Sequence, residues 1–321
     1  MKDAWGRTIE YVRLSLTDAC NFCCPYCRPA EITPQSQHQL LSVDEWMTIL
    51  GAFHQVGVKA VRLTGGEPLL YPHIEELLAR IKQTGWFEDI SMTTNGSLLA
   101  PRAAKLKELG LNRVNISLDS LDSDAFALCV GKANQLDSVL NGVQSAIDAG
   151  FTSVKINTVL SRHWTDDEVH DLLTYVETWP VIWRFIEYMP FQGDAFHGPT
   201  FDEWKAQLER VSGGILTENH DVYGFGPATY YNLPSGKEIG FIFSMSHSYC
   251  DTCNRVRLTS DGQMRLCLLR DDEADLVSLV RNGASEEALA KHIERALQRK
   301  QERHDGIGME QPERPMWRIG G

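Results

Sequence analysis

A chain of 321 residues with a formal charge of -12 and a pI near 5.3 repels DNA, RNA and anionic lipid, so no nucleic-acid or membrane partner is expected. Its 43% hydrophobic content excludes a disordered chain and allows one large core with a smaller second region. No run reaches the roughly 18 apolar residues of a membrane span. The opening MKDAWGRTIEYVRLS also lacks the apolar stretch of a secretory signal, so a cytoplasmic protein is expected. In that compartment eight cysteines seldom form disulfides. Four of them fall within Cys20–Cys27 and three within Cys250–Cys267, which points to metal chemistry at two places.

In chain order, short β-branched runs alternate with helical patterns from Tyr11 to Met189. Strands are predicted at Tyr11–Thr17, Ala60–Thr64, Ile90–Thr94, Val114–Leu118, Val154–Leu160 and Ile182–Tyr188. Helices are predicted between them at Val43–Val56, behind a Ser42/Glu45 capping box, and at about His73–Thr84, Arg102–Leu109, Leu136–Ala149 and Asp166–Glu177. This alternation implies right-handed parallel units and an α/β fold. Six such units are too few to close an eight-stranded barrel, so a partial (β/α)6 barrel is expected. Near residue 220 the pattern changes to Gly, Pro and aromatics with hairpin spacing. Strands at Glu238–Phe243, Val256–Thr259 and Met264–Leu268 follow, then helices at Ala274–Arg281 and Ser285–Arg303. We therefore expect a barrel over residues 1–219 and a C-terminal α+β extension over 220–321.

The unusual polar and glycine motifs fall at the carboxyl ends of the predicted strands. Cys20–Cys27 follows the first, Gly65-Gly66-Glu67-Pro68 the second, and Thr93-Thr94-Asn95-Gly96 the third. Ser117 and Asp119 end the fourth, Asn157 lies in the fifth and Glu187–Met189 ends the sixth. In parallel β/α folds that face carries the active site.

Cys20, Cys24 and Cys27 give a CxxxCxxC spacing suited to three irons of a [4Fe–4S] cluster, leaving the fourth iron open. Cys23 makes Cys20/Cys23/Cys27 a second possible set. Cys250, Cys253 and Cys267 again supply three thiols, open to a zinc knuckle or a second cluster. Arg255 and Arg257 stand two apart on a strand beside them, hence on one face, where guanidinium forks suit phosphate oxygens.

The first cysteine motif, with Tyr26 before its last Cys, and the GGEP run resemble the radical S-adenosylmethionine (SAM) superfamily. The resemblance implies that Gly65, Gly66, Glu67, Thr94, Asn95 and Ser117 contact SAM beside Tyr26. Val12–Ser15, Arg62–Pro68, Arg184–Glu187, the second cysteine set with Arg255 and Arg257, and the tail Arg314–Gly321 extend it. Over nearly the whole chain they resemble the GTP 3′,8-cyclases of molybdenum cofactor biosynthesis.

That family implies two [4Fe–4S] clusters, held by Cys20/Cys24/Cys27 and Cys250/Cys253/Cys267. It implies reductive SAM cleavage to a 5′-deoxyadenosyl radical, abstraction of the GTP 3′ hydrogen and attack on guanine C8. Arg13, Arg255 and Arg257 match arginines near the substrate that grip the triphosphate or finish the radical step, while Lys155 and Arg184 match further polar positions facing the cavity. The diglycine tail is expected to reach the site. An electron donor of flavodoxin or ferredoxin type, the next enzyme of the pathway and a homodimer complete the expected partners. Two residues depart from the pattern: Cys23 replaces an arginine, and Tyr71 stands where a phosphate-binding arginine is common, which predicts weaker GTP binding. The alternatives are another two-cluster radical SAM enzyme acting on a peptide, and a zinc-binding interaction protein.

Overall fold

A computed structural model describes residues 1–28, 40–190, 198–221, 223–304 and 313–320. In chain order these form β1 (Tyr11–Ser15), α1 (Val43–Gln55), β2 (Ala60–Thr64), α2 (Ile74–Thr84), β3 (Asp89–Thr94) and α3 (Ala103–Glu108). Next come β4 (Arg113–Ser117), α4 (Ser123–Val130), α5 (Leu136–Asp148), β5 (Ser153–Val159), α6 (Asp166–Thr178) and β6 (Ile182–Ile186). The remainder is α7 (Phe201–Ser212), β7 (Thr217–Asn219), β8 (Thr229–Asn232), β9 (Glu238–Ile242), β10 (Arg255–Leu258), β11 (Gln263–Arg265), β12 (Glu273–Asp275), α8 (Val277–Arg281) and α9 (Glu286–Leu297).

All twelve strands join one open sheet in the order β12-β11-β10-β1-β2-β3-β4-β5-β6-β9-β8-β7. The six expected β/α units form its centre, a partial barrel as the sequence implies. The late segment does not stand apart from it. β10 pairs in parallel with β1, and β9 pairs in parallel with β6, so residues beyond 220 extend the barrel at both edges. Antiparallel hairpins, β11–β12 on one side and β8–β7 on the other, complete the sheet.

Two helix boundaries differ from the sequence reading. Glu273–Asp275 is a strand, because its backbone pairs with Gln263–Arg265, and the helix starts only at Val277. The last helix stops at Leu297, short of Arg303, where the chain turns to bury Lys300.

Parallel strands covered on both faces usually read as continuous apolar runs. Here they alternate. Val12 and Leu14, Val61 and Leu63, Val114 and Ile116, and Trp183 and Phe185 are buried against the helices. The intervening residues, such as Arg13, Arg62, Asn115 and Arg184, point into the barrel. Capping boxes at Ser42/Glu45, Thr165/Glu168 and Thr200/Glu203 fix the starts of α1, α6 and α7.

Candidate active site

The glycine pair after β2 shapes the first cysteine loop. The Gly66 and Glu67 N–H groups donate to the carbonyls of Thr17 and Ala19, both at 2.7 Å, so the two loops lie backbone against backbone. Gly65 has φ +154°, and a Cβ there would meet the Thr17 carbonyl at 2.6 Å; one at Gly66 would run into Ala19. Only glycine fits so close an approach. Glu67 is fully buried. Its carboxylate accepts from Leu69 N at 3.0 Å, Thr94 Oγ1 at 2.8 Å and Asn95 N at 2.8 Å, while burial raises its pKa to about 7. The carboxylate thereby ties the β2 and β3 loops together.

Cys20, Cys24 and Cys27 line one open cavity. Burial raises all three thiols, Cys27 to about 12, so ionised sulfur here calls for a metal cation beside it. Cys23 is placed differently. Its N–H donates to Val130 O at 2.9 Å, and its sulfur accepts from Arg28 Nη2 at 2.8 Å. Tyr26 lines the cavity and donates to Asp119 Oδ2 at 2.8 Å; Asp119 Oδ1 in turn accepts from Val159 N. Gly65, Gly66, Thr94, Asn95 and Ser117 share this wall, with Asn95 Nδ2 donating to Cys20 Sγ at 3.9 Å.

Below them lies a layer of cations. Sheet register sets Arg13 directly opposite both Arg257 and Arg62. Arg184 adds a fourth guanidinium, held by Asn157 Oδ1 and Asn115 Oδ1. Strands about 4.8 Å apart bring such charges close enough for roughly 3 kcal/mol of repulsion per pair at an effective dielectric near 20. Burial and Arg257 push Arg13 well below the usual arginine range; burial and then Arg255 lower Arg257 to about 10. A chain of net charge -12 has thus concentrated positive charge in its interior, an arrangement that suits a polyanion.

Cys250, Cys253 and Cys267 line an adjoining pocket whose wall shares Arg13, Tyr249, Arg255 and Arg257 with the main cavity. Although burial opposes ionisation, Lys300 and Arg255 hold the Cys253 thiol down at about 7. Arg255 lies over the Tyr249 ring at 4.7 Å. Among the described residues no three Cys, His, Asp or Glu side chains converge on a single point to chelate one ion; both cysteine sets stand around a cavity wall. The tail enters here too. The Gly320 carbonyl accepts from Arg13 Nη2 at 3.1 Å and Arg257 Nη1 at 2.8 Å, and Gly321 lies outside the described residues.

Two families match the sequence: the radical SAM superfamily over residues 14–176 and Molybdenum Cofactor Synthesis C over residues 181–306. A GTP 3′,8-cyclase of Desulforamulus reducens is 39% identical over 328 residues, covering 100% of both chains. This chain belongs to the GTP 3′,8-cyclase family. A cyclase of Trichodesmium erythraeum is 44% identical over 302 residues, covering 90% of this chain and 91% of its own. The mouse Molybdenum cofactor biosynthesis protein 1 is 37% identical across 100% of this chain, which spans 51% of that protein. Streptococcus suis SuiB bound to S-adenosylmethionine shares the fold, with a TM-score of 0.62 at 14% identity over 88% of this chain and 68% of its own.

The family carries two [4Fe–4S] clusters and uses SAM, and the two thiol sets fit such clusters: each offers three ligands, one set on the main cavity and the other on the pocket that adjoins it. For a GTP 3′,8-cyclase, the sequence reading missed Arg62, whose position two residues before Thr64 on an alternating strand gave the signal. It also missed Tyr249, and it set Asn157 and Glu187 on the active-site face without giving them a role; all three line the cavity. Glu187 accepts from Met245 N at 2.6 Å and Ser246 N at 3.0 Å. Tyr71 is buried in the core with its hydroxyl on Leu41 O at 2.9 Å and is not among the residues lining the cavity.

Lys155 is also placed behind the cavity wall. Its amine donates to Tyr223 O at 3.1 Å and Tyr230 Oη at 3.2 Å, and burial, with Arg184 and Arg113, lowers its pKa to about 6. Unfolded, this amine keeps its proton up to about 10.5. Between those values the unfolded chain binds more protons, so Lys155 makes stability rise with pH across the window and destabilises the fold most below about 6. Lys155→Met should flatten that slope, read from urea midpoints of the metal-free protein at two pH values inside the window. An unchanged slope would remove Lys155 as its source.

Proposed function

We propose that the protein converts GTP to its 3′,8-cyclised nucleotide, the first step of molybdenum cofactor biosynthesis. The observation that carries this reading is the layer of Arg13, Arg62, Arg184 and Arg257 in the cavity wall, the last three buried. It lies in a cavity that faces one thiol set and adjoins the other. A triphosphate neutralises the layer, which sets its ribose and base between the two sets.

When bound, the first cluster and SAM supply a carbon-centred radical able to take the ribose 3′ hydrogen. This chain's own groups do the positioning. Cys20, Cys24 and Cys27 hold the first cluster; Gly65, Gly66, Thr94, Asn95 and Ser117 form the SAM wall, with Tyr26 fixed by Asp119 beside it. Arg13, Arg255 and Arg257 grip the triphosphate or finish the radical step, with Arg184 and Arg62 beside them, and Cys250, Cys253 and Cys267 would hold the second cluster. Lys155 reaches this substrate only through the Tyr223 loop that it supports.

The first 219 residues then generate the radical and residues 220–321 complete the substrate site. A small electron donor of flavodoxin or ferredoxin type, the pathway's next enzyme, a cytoplasmic setting and a homodimer belong to the same reading. Anaerobically reconstituted protein given SAM, a reductant and GTP should form a cyclised guanine nucleotide. Turnover of a peptide with none of GTP would favour the peptide-modifying alternative.

A further inference from the structure

The residues before the first strand precede both matched families, yet they are tightly built. Asp3 and Arg7 form a turn in which Asp3 Oδ1 accepts from the N–H groups of Trp5 and Arg7, both at 3.0 Å. Asp3 N donates to Arg7 O at 3.0 Å, and Gly6 takes φ +81° to close the turn. Asp3 Oδ2 pairs with Arg7 Nε at 2.7 Å, and both side chains are buried. A buried ion pair of this kind is weak evidence of stabilisation, because desolvation opposes it. What the pair does is aim a fork.

The fork is spent on three backbone carbonyls. Arg7 Nη1 donates to Cys250 O at 2.8 Å and to Glu302 O at 2.6 Å, and Nη2 donates to Gln301 O at 2.6 Å. The Cys250 carbonyl also accepts from Cys253 N at 3.1 Å, so Arg7 grips the turn that sets the spacing of two thiols. Trp5 Nε1 donates to Lys300 O at 2.9 Å, and the buried Lys300 amine donates to Leu266 O, next to Cys267. One N-terminal turn therefore grips the Cys250–Cys253 turn directly and connects to the backbone beside Cys267 through Lys300, more than 240 residues away in sequence.

We infer that the Asp3–Arg7 turn is a clip for the second cluster, with Arg7 its positioning residue. Arg7 acts through the Cys250–Cys253 turn and touches neither the first thiol set nor the cavity wall. Lysine replaces it only in part, because a single ammonium lacks the planar fork that serves separated carbonyls. The inference rests on the second set holding iron–sulfur and is independent of which substrate is cyclised.

The test compares wild-type, Arg7→Met, Arg7→Lys and Trp5→Phe proteins after anaerobic reconstitution. Iron and sulfide per chain and the electron paramagnetic resonance of both reduced clusters are measured. Added SAM marks the first cluster, because it perturbs that signal alone. Arg7→Met should lose about half its iron, keep the SAM-responsive signal, and still cleave SAM without GTP. Arg7→Lys should fall between it and wild type, and Trp5→Phe should lose less in the same direction. Both clusters intact in Arg7→Met, or both lost in equal measure, would overturn the inference. Iron for a single cluster in the wild type would instead refute the reading of the second set itself.

Discussion

Cys24→Ser protein should release 5′-deoxyadenosine from SAM only at background, a loss of at least about 10³-fold, because no side chain offers another one-electron route. Cys24 lies between Cys20 and Cys27 in sequence and, half-buried, lines the cavity wall with them. A serine hydroxyl at that position neither ionises nor ligates iron as thiolate does. The decisive companion is Cys23→Ser. Because Cys23 is turned to Val130 and Arg28, this variant should keep its first cluster and most of its SAM cleavage. Iron analysis and product release read both variants. Survival of Cys24→Ser with loss in Cys23→Ser would assign the ligands as Cys20, Cys23 and Cys27.

Arg257→Met should raise the KM for GTP by about 10- to 100-fold, the range expected when one charge-assisted hydrogen bond of about 1.5–3 kcal/mol is lost. Arg257 is buried, faces Arg13 across the sheet, and already donates to Ile319 O and Gly320 O. Any anion entering the cavity meets it together with Arg13. SAM cleavage without GTP should persist in the variant, since the first thiol set lies on another wall of the cavity. Steady-state kinetics against GTP separate the possibilities. An unchanged KM with a fallen kcat would mean that Arg257 acts on the radical step or on the tail rather than on the triphosphate.

Much of the barrel could be read locally. Ala60–Thr64 is placed as the β-branched run predicts, and the other five central strands agree within two residues, because each is a short run closed by a turn. The chemistry-bearing loops were legible for the same reason: thiol spacing and glycine pairs are local signals. Long-range pairing was not. Nothing in Val256–Thr259 announces that it will lie parallel to a strand over 240 residues earlier, so the later segment read as a separate extension. The short polar strands Thr217–Asn219 and Glu273–Asp275 take their structure from neighbours, not from propensity. Two helices were overlooked although their caps are present in the sequence, Asp122 before α4 and Thr200 with Glu203 before α7.

Side-chain direction was the harder part of the site. Glu67 and Lys155 belong to motifs that suggest ligand contact, yet one ties two loops together and the other supports the Tyr223 carbonyl. Arg62 shows the reverse: an ordinary-looking strand residue becomes part of the cationic layer, because period-two alternation turns it inward in register with Arg13. The Asp3–Arg7 turn gave no signal at all, since its meaning lies in the carbonyls it meets.

The most direct measurement uses GTP deuterated at the ribose 3′ carbon, with anaerobically reconstituted protein, SAM and reductant. The account predicts that GTP strongly stimulates 5′-deoxyadenosine release and that the deuterium appears in that product alongside a cyclised nucleotide. Slow release that is indifferent to GTP, with no deuterium transferred, would contradict it.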